Sequence, residues 1–313
     1  MERLKILIAS QIHHSAIDWL KDQFDVVCAF NAPEDILQKN ITGSKILIFR
    51  SGVQITGDVM KSAPELRLII RAGSGVDNLD MNYVKRHKEL RLIRIPGPGA
   101  RAVAEMSFAF MLAMSRNLIK ADNLTRQGKW AKHMLEGYLL KGKVLGIVGT
   151  GNIGSHVGHL GNLWGMKVIG CIEASSHPEN ILLEEYGIEQ KSFEEVLSRS
   201  DYLSIHVPLT PGTKNLINRE SLALMKPNSY LINLARGGVV DEQALYEALT
   251  RKNGLRAAAL DVHESEGDNK ISPLAKLENV ILTPHIGAMT IDSQFEIGQE
   301  IIKHVKQFVD QYK

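Results

Sequence analysis

Cysteine is nearly absent from this chain: of 313 residues, only Cys28 and Cys171 carry a thiol. Two thiols cannot build a disulfide framework, and their scarcity suits a reducing compartment, so a cytoplasmic location is expected. An excess charge of one sign is also missing. Thirty-seven basic residues face 35 acidic ones, a net charge of +2, mixed along the chain with no basic stripe. That argues against a nucleic-acid partner. Long apolar runs are lacking as well. The longest, residues 106–114, falls well short of the roughly 20 residues that span a bilayer. The opening MERLKILIAS is too short in its apolar part for a signal peptide. No membrane partner is expected. With 44% hydrophobic residues a sizeable core can form, and the length suits two domains of about 100–200 residues each.

Short apolar runs alternate with amphipathic stretches. Strand-like runs lie at 4–9, 45–49, 66–71 and 92–95, and a second series lies at 144–148, 167–172, 202–207, 230–234, 257–262 and 280–283. Helical periodicity falls between them, as at 194–197 and 241–250. Strands alternating with helices imply βαβ units and parallel sheets, and the nearly unbroken apolar runs fit strands buried on both faces. The fold class expected is α/β, with two doubly wound parallel-sheet lobes, one flavodoxin-like and one Rossmann-like, and an active site in the cleft between them. Pro96-Gly97-Pro98-Gly99 marks the division, and one long helix is expected over 102–127. A last helix over about 291–309 could cap the second lobe or cross back onto the first; periodicity leaves both open. No low-complexity segment or short-period repeat appears.

The run Val144–Val148 is followed by Gly149-Thr150-Gly151-Asn152-Ile153-Gly154 and a helical stretch. This is G-x-G-x-x-G between a strand and a helix. Gly149 allows the tight turn, Gly151 lets the backbone approach a pyrophosphate, and Gly154 lets helix and strand come close. Glu173 ends the next strand, 19 residues beyond Gly154. Its carboxylate can accept hydrogen bonds from ribose hydroxyls and would repel a 2′-phosphate. Ala174, Ser175, Ser176 and His177 offer no arginine for one, so NAD is expected rather than NADP.

Three polar groups stand at the carboxyl ends of the later strands, where doubly wound sheets place their ligands. Arg236 lies in NLARGG, Asp261, Glu264 and Glu266 in LDVHESE, and His285 in TPHIG. An arginine fork binds a carboxylate, and a histidine held by a carboxylate is a tunable general base. Oxidation of a 2-hydroxy acid needs that combination. His206, also at a strand end, rivals His285 for the base. His156 and His159 share a helix face but have no third ligand, and no metal site is expected.

Along essentially its whole length the chain resembles the D-isomer-specific 2-hydroxyacid dehydrogenase family. LKGKVLGIVGTGNIG, SIHVPLT, LINLARGGVVDEQAL, AAALDVHESE and NVILTPHIGA carry the resemblance, in that order. It implies an NAD-dependent enzyme in which Arg236 binds the substrate carboxylate and reacting oxygen, His285 is the acid–base group, and Glu266, rather than Glu264, is its partner. It places Asp261 against the nicotinamide carboxamide and Asn152 and Ile153 against the pyrophosphate, with Val207, Pro208, Leu234, Ala235 and Gly287 as further cofactor contacts. It also implies a substrate domain of residues 1–97 plus 288–313 and an NAD-binding domain of 98–287. The sequence departs from the family pattern at His263, where an aromatic residue is usual, at Gly267, where proline is common, and at Gly99, where asparagine is frequent.

In the first lobe Arg50, Ser51 and Gly52 follow one strand, and RAGSGVDN, with Arg71, Ser74 and Gly75, follows another. Glycine-flanked Ser74 can present backbone N–H groups to a carboxylate, and the two arginines can point into one mouth. This set is similar to the 3-phosphoglycerate dehydrogenase branch, where paired arginines hold the phosphate. Lys132, in GKWAKH, stands where that branch places a basic residue reaching a neighbouring subunit. The resemblance thus implies oxidation of 3-phosphoglycerate, the entry to serine biosynthesis, by a homodimer or dimer of dimers. A glyoxylate or hydroxypyruvate reductase is the alternative enzyme, and an NAD(H)-sensing corepressor-like scaffold the alternative class. The chain stops soon after its last helix, and no appended regulatory domain is expected.

Overall fold

A computed structural model describes residues 3–171 and 185–311. The chain divides into two compact units, residues 1–99 with 288–313, and residues 100–287. The first unit holds five parallel strands, β1 (Lys5–Ile8), β2 (Asp25–Cys28), β3 (Ile46–Phe49), β4 (Leu68–Arg71) and β5 (Arg91–Arg94), in the order β2-β1-β3-β4-β5. That is the flavodoxin-like order. Successive strand residues point to opposite faces, so these strands need cover on both sides. Ile6, Ile8, Ile46, Ile48, Leu68 and Ile70 pack on one face with Ala16 and Leu20 of α1 (His14–Gln23). Leu7, Leu47, Phe49 and Ile69 pack on the other with residues of α2 (Glu34–Ile41), α3 (Gly57–Lys61) and α4 (Met81–Arg86). β2 lies outside the expected runs. It is an edge strand, Asp-Val-Val-Cys, exposed at both ends and only half-buried between them, so it lacks the apolar signature of its neighbours.

The second unit begins within α5 (Gly97–Ser115) and continues through α6 (Leu118–Arg126). The single helix expected over 102–127 is therefore two helices, bent by 59°. Asn117, between them, has φ 52°, a left-handed conformation that ends a helix and that asparagine tolerates better than most residues. Its Nδ2 donates to the Glu136 carbonyl at 3.1 Å. Among the described residues no single helix is long and apolar enough to cross a membrane. The sheet comprises β6 (Val144–Val148), β7 (Lys167–Cys171), β8 (Glu189–Gln190), β9 (Tyr202–Ile205), β10 (Tyr230–Asn233), β11 (Ala257–Leu260) and β12 (Val280–Leu282). All run parallel, in the order β12-β11-β10-β9-β6-β7-β8. This is the Rossmann order with β12 added beyond the sixth strand. The two-residue edge strand β8 lies outside the expected runs. The helices of this unit include α7 (Asn152–Leu163), α8 (Phe193–Arg199), α9 (Arg219–Leu224) and α10 (Glu242–Thr250).

The last helix, α11 (Ile291–Gln311), belongs to the first unit. Its Ile297, Ile301, Val305 and Phe308 complete the face already occupied by α1. Burying a large aliphatic side chain and then deleting it costs about 2–5 kcal/mol. Ile301, with no exposed surface, should behave this way. Ile301→Ala should lower stability in urea by that amount, and amide exchange should accelerate in β1, β3 and β4 while β6, β9 and β10 stay protected. Acceleration led by the second unit would place the helix elsewhere.

Candidate active site

The glycine loop follows β6, at the point in the strand order where the chain reverses direction across the sheet. Gly149 has φ 91°, and a Cβ there would lie 2.7 Å from the His206 carbonyl oxygen, so only glycine fits. Gly151 precedes α7 as its N-cap, with no side chain capping the helix and nothing within 4 Å of where a Cβ would stand. At Gly154 a Cβ would run into the Gly149 carbonyl. The result is a bare helix N-terminus, started by Asn152 and Ile153, facing open space. Its N–H groups and dipole suit a pyrophosphate, so these residues fit a dinucleotide. Val207, Leu234 and Ala235 are buried beside the same sheet edge, and Pro208 is exposed there. Glu173 lies outside the described residues.

The loops after β11 and β12 are tied together by Asp261, which is 2% exposed. One carboxylate oxygen accepts the Thr283 hydroxyl at 2.5 Å and the Ile286 N–H at 2.9 Å; the other accepts the Gly287 N–H at 2.7 Å. Its backbone carbonyl accepts the His285 N–H at 2.7 Å. His285 itself has φ 56°, a left-handed conformation that costs a side-chain-bearing residue about 1–2 kcal/mol. Held this way, His285 Nδ1 stands 2.9 Å from Glu266 Oε2. Burial pushes the Glu266 carboxyl up, but the His285 hydrogen bond and charge, with the His263 amide at 3.2 Å on Oε1, outweigh it and leave the group below the usual glutamate range. An ionised Glu266 requires Nδ1 to carry the proton. Nε2 of the neutral ring then bears the lone pair, the tautomer a general base needs.

His206 is placed differently. Its Nε2 bonds Ser204 Oγ at 2.8 Å, and its Nδ1 is buried with no partner. Burial pushes this imidazole down to about 3, which leaves it a weak proton acceptor near neutrality. Arg236 sits half-buried on the loop after β10, its Nη1 donating to the Ala235 carbonyl at 2.7 Å. Glu264 faces away from His285. Its Oε1 accepts the Glu242 N–H at 3.0 Å, at the start of α10, and Glu242 accepts the Glu264 N–H in return at 2.8 Å. Lys132 lies exposed in a short 3₁₀ turn, Lys132–Met134, of the same unit.

In the first unit Arg50 directly follows β3, beside β1, at the switch point of that sheet. Its backbone N–H donates to Ser10 Oγ at 3.0 Å, and Asn78 Nδ2 donates to its carbonyl at 2.8 Å. Phe49 pairs with Arg71 across the neighbouring strand, so both arginines stand at adjacent strand ends. They are not equivalent. Arg50 is half-buried, whereas Arg71 is 4% exposed, its Nη1 on the Ala72 carbonyl at 3.0 Å and its guanidinium lodged where a Gly73 side chain would be. The expected shared mouth is thus open at Arg50 and covered at Arg71 by the loop that carries Ser74 and Gly75. Ser51, Gly52 and Ser74 are exposed.

Three supporting residues are not assigned to the site from the sequence. Asn233, almost fully buried, accepts the Ala235 N–H at 3.0 Å and donates to the Arg236 carbonyl at 3.2 Å, shaping the arginine's turn. Glu242 braces the loop of Glu264 and also accepts the Ser272 hydroxyl at 2.5 Å. His263, at the unusual position, bonds the Thr283 carbonyl through Nε2 at 2.9 Å and so fastens the Glu266 loop to the His285 loop. All three stand inside or beside the family motifs, but a polar residue that bonds backbone leaves no periodic signal. The carboxylate supplies a test. In the folded protein Glu266 titrates below its unfolded value, so the stability it adds is present above the ordinary glutamate range and lost as pH falls through the lowered value. In His285→Ala, burial dominates, and carboxyl ¹³C NMR should show Glu266 titrating higher than in wild type. An unmoved titration would mean that the two residues do not pair in solution.

Comparison with known proteins identifies the family. The family model described as D-isomer specific 2-hydroxyacid dehydrogenase, NAD binding domain, matches residues 108–287. A D-3-phosphoglycerate dehydrogenase of Methanocaldococcus jannaschii is 38% identical over 97% of this chain and 57% of its own. A hydroxypyruvate reductase of Thermotoga maritima is 37% identical over 97% of this chain and 98% of its own. The chain therefore spans little more than half of the first relative and nearly all of the second. Among solved structures, D-lactate dehydrogenase from Aquifex aeolicus, complexed with NAD and lactic acid, superposes with a TM-score of 0.84 at 30% identity, covering 98% of this chain and 96% of that one. An acyclic imino acid reductase in complex with NADPH and D-Arg superposes at 0.86 with 28% identity, covering 98% of both. With a family model matching more than half its length and such relatives along nearly all of it, the chain belongs to the D-isomer specific 2-hydroxyacid dehydrogenase family and carries its NAD-binding domain.

Proposed function

We propose that this chain is an NAD-dependent D-2-hydroxyacid dehydrogenase whose substrate is 3-phosphoglycerate. The observation that carries the dehydrogenase reading is the His285–Glu266 contact of 2.9 Å in the same unit as the bare N-terminus of α7. Bound NAD would supply the acceptor for the hydride from C2. The chain's own residues do the rest. His285 Nε2 takes the hydroxyl proton, Glu266 stabilises the imidazolium that results, and the Arg236 fork holds the substrate carboxylate and reacting oxygen. The preference for NAD over NADP rests on Glu173.

The choice of 3-phosphoglycerate rests on two cations at adjacent strand ends of the first unit, Arg50 half-buried at its switch point and Arg71 beneath the Ser74 loop beside it. Carboxylate binding by Arg236 and the Ser74 loop does not need them. Charge-assisted hydrogen bonds contribute roughly 1.5–3 kcal/mol each, about 10–150-fold in affinity before salt and solvent reduce it. A hydroxypyruvate reductase is the second reading, favoured by a relative matched over 98% of its length. The deciding assay compares 3-phosphoglycerate, glycerate and hydroxypyruvate, with NAD(H) and NADP(H). Wild type should favour the phosphorylated acid and NAD. Arg50→Ala and Arg71→Ala should shrink the first preference. His285→Ala should lose about 10²–10⁴ in kcat yet still bind NADH. Equal turnover of plain and phosphorylated acids moves the assignment to the reductase.

We also propose a homodimer or dimer of dimers, built through the segment after α5. Trp130 is 86% exposed, Met134 78% and Leu139 72%, and apolar exposure on that scale marks an interaction surface. Light scattering at micromolar concentration should return a multiple of the 34.7 kDa chain, and Trp130→Glu with Met134→Glu should return the monomer. A monomeric wild type would refute the assembly and remove any role for Lys132 across it.

A further inference from the structure

Arg50 is a cation whose nearest side-chain partners are neutral. Its Nη1 donates to Gln294 Oε1 at 2.6 Å and touches Met289 Sδ at 3.4 Å. Its Nε is buried with no partner, and no carboxylate among the described residues pairs with it. Burial alone pulls its pKa down. A half-buried guanidinium left without a counter-charge is expensive unless something anionic arrives. Gln294 is itself fixed. Its Nε2 donates to the Ala288 carbonyl at 2.8 Å, and Ser293 Oγ donates to the same carbonyl at 2.9 Å. Thr290 Oγ1 accepts the Ser293 N–H at 3.2 Å. The start of α11 is therefore a rigid anchor, and Gln294 spans from it to the arginine.

The chemistry of the anchor is informative. A glutamate at 294 would hold Arg50 as firmly but cancel its charge. An apolar residue would leave the long side chain to sample many rotamers, at a cost in entropy when a ligand orders it. An amide oxygen does neither: it orients the guanidinium and leaves the full positive charge to be met from outside. We propose that Gln294 is a positioning residue that presents Arg50, pre-ordered and uncompensated, to the distal anionic group of the substrate, and so sets the preference for a phosphorylated over a plain hydroxy acid. This rests on the substrate reading above.

The test uses the full chain with Gln294→Met, which keeps length but accepts no comparable hydrogen bond, Gln294→Glu, Arg50→Ala, and the double variant Arg50→Ala with Gln294→Met. Kinetics are read on 3-phosphoglycerate and glycerate in parallel, so that general damage to the fold appears equally in both. Gln294→Met should raise KM for 3-phosphoglycerate by about 10-fold, the lower end of the scale of one hydrogen bond to a charged group because the arginine itself remains, with a smaller change in kcat and in the glycerate constants. Gln294→Glu should reduce the preference further than methionine does, although it is nearly isosteric; a purely structural role predicts the reverse order. In the double variant the effects should not add, because without Arg50 there is nothing to position. Equal losses on both substrates, glutamate preserving the preference, or additive effects would overturn the proposal. If wild type shows no preference for phosphate, the substrate reading fails separately. The same cycle on the best plain substrate then decides the clamp: non-additive KM effects sustain it, and additive effects or a silent Arg50→Ala overturn it.

Discussion

The second unit's chemistry depends on one buried carboxylate. Asp261 gathers a hydroxyl and two backbone N–H groups from the loop after β12, and that grip holds His285 in a left-handed conformation it would otherwise avoid. Four hydrogen bonds to one residue, each worth about 1 kcal/mol net and more when the acceptor is charged, easily offset a backbone cost of about 1–2 kcal/mol. The carboxylate that the resemblance places against the nicotinamide is thus also the keystone of the turn that carries His285. Both tasks are open to it, since each carboxylate oxygen has more than one lone pair.

Around that point the site is built in pairs. Glu266 and His285 meet in one hydrogen bond, Glu242 and Glu264 each accept the other's backbone N–H to brace the intervening loop, and His263 stitches the two loops together. His206 shows what happens without such company. Histidine is the same residue type at a similar strand end, but with one nitrogen on a serine and the other buried, it is held neutral. Environment, more than residue type, separates a candidate base from a bystander.

Much of this was legible from the chain alone, for a physical reason. Strands covered on both faces must be nearly all apolar, so β1, β3, β4, β6 and β9 to β11 stand out in the sequence. β8 is two polar residues, Glu189 and Gln190, with no apolar run at all; β2 offers only Val26 and Val27 between exposed ends, whereas edge strand β5, with the same burial pattern, has a run that continues into buried Ile95. The break between α5 and α6 escaped because apolar periodicity runs through Asn117, and a single left-handed residue changes no hydrophobic pattern. At the site, the glycine loop showed through its spacing between a strand and a helix, whereas the roles of Arg236, Glu266 and His285 came from the resemblance to the family, since strand-end position alone left His206 a rival. The different burial of Arg50 and Arg71 was not, because a guanidinium tucked under Gly73 and one reaching Gln294 look identical in one-letter code.

The return of α11 to the first unit has a consequence for biogenesis. On the ribosome the β1–β5 segment emerges first, yet one face of its sheet is covered by α1 alone until residues beyond 291 follow. At about 5–20 residues per second, the wait between residue 94 and that helix lasts roughly 10–40 seconds. The contiguous second unit has its whole core available before then. All residues of the second unit are thus synthesised before the last of the first unit's, and for that interval Ile6, Ile8, Ile46 and Ile48 lack part of their cover, leaving a half-clad surface of the kind that holdase chaperones bind.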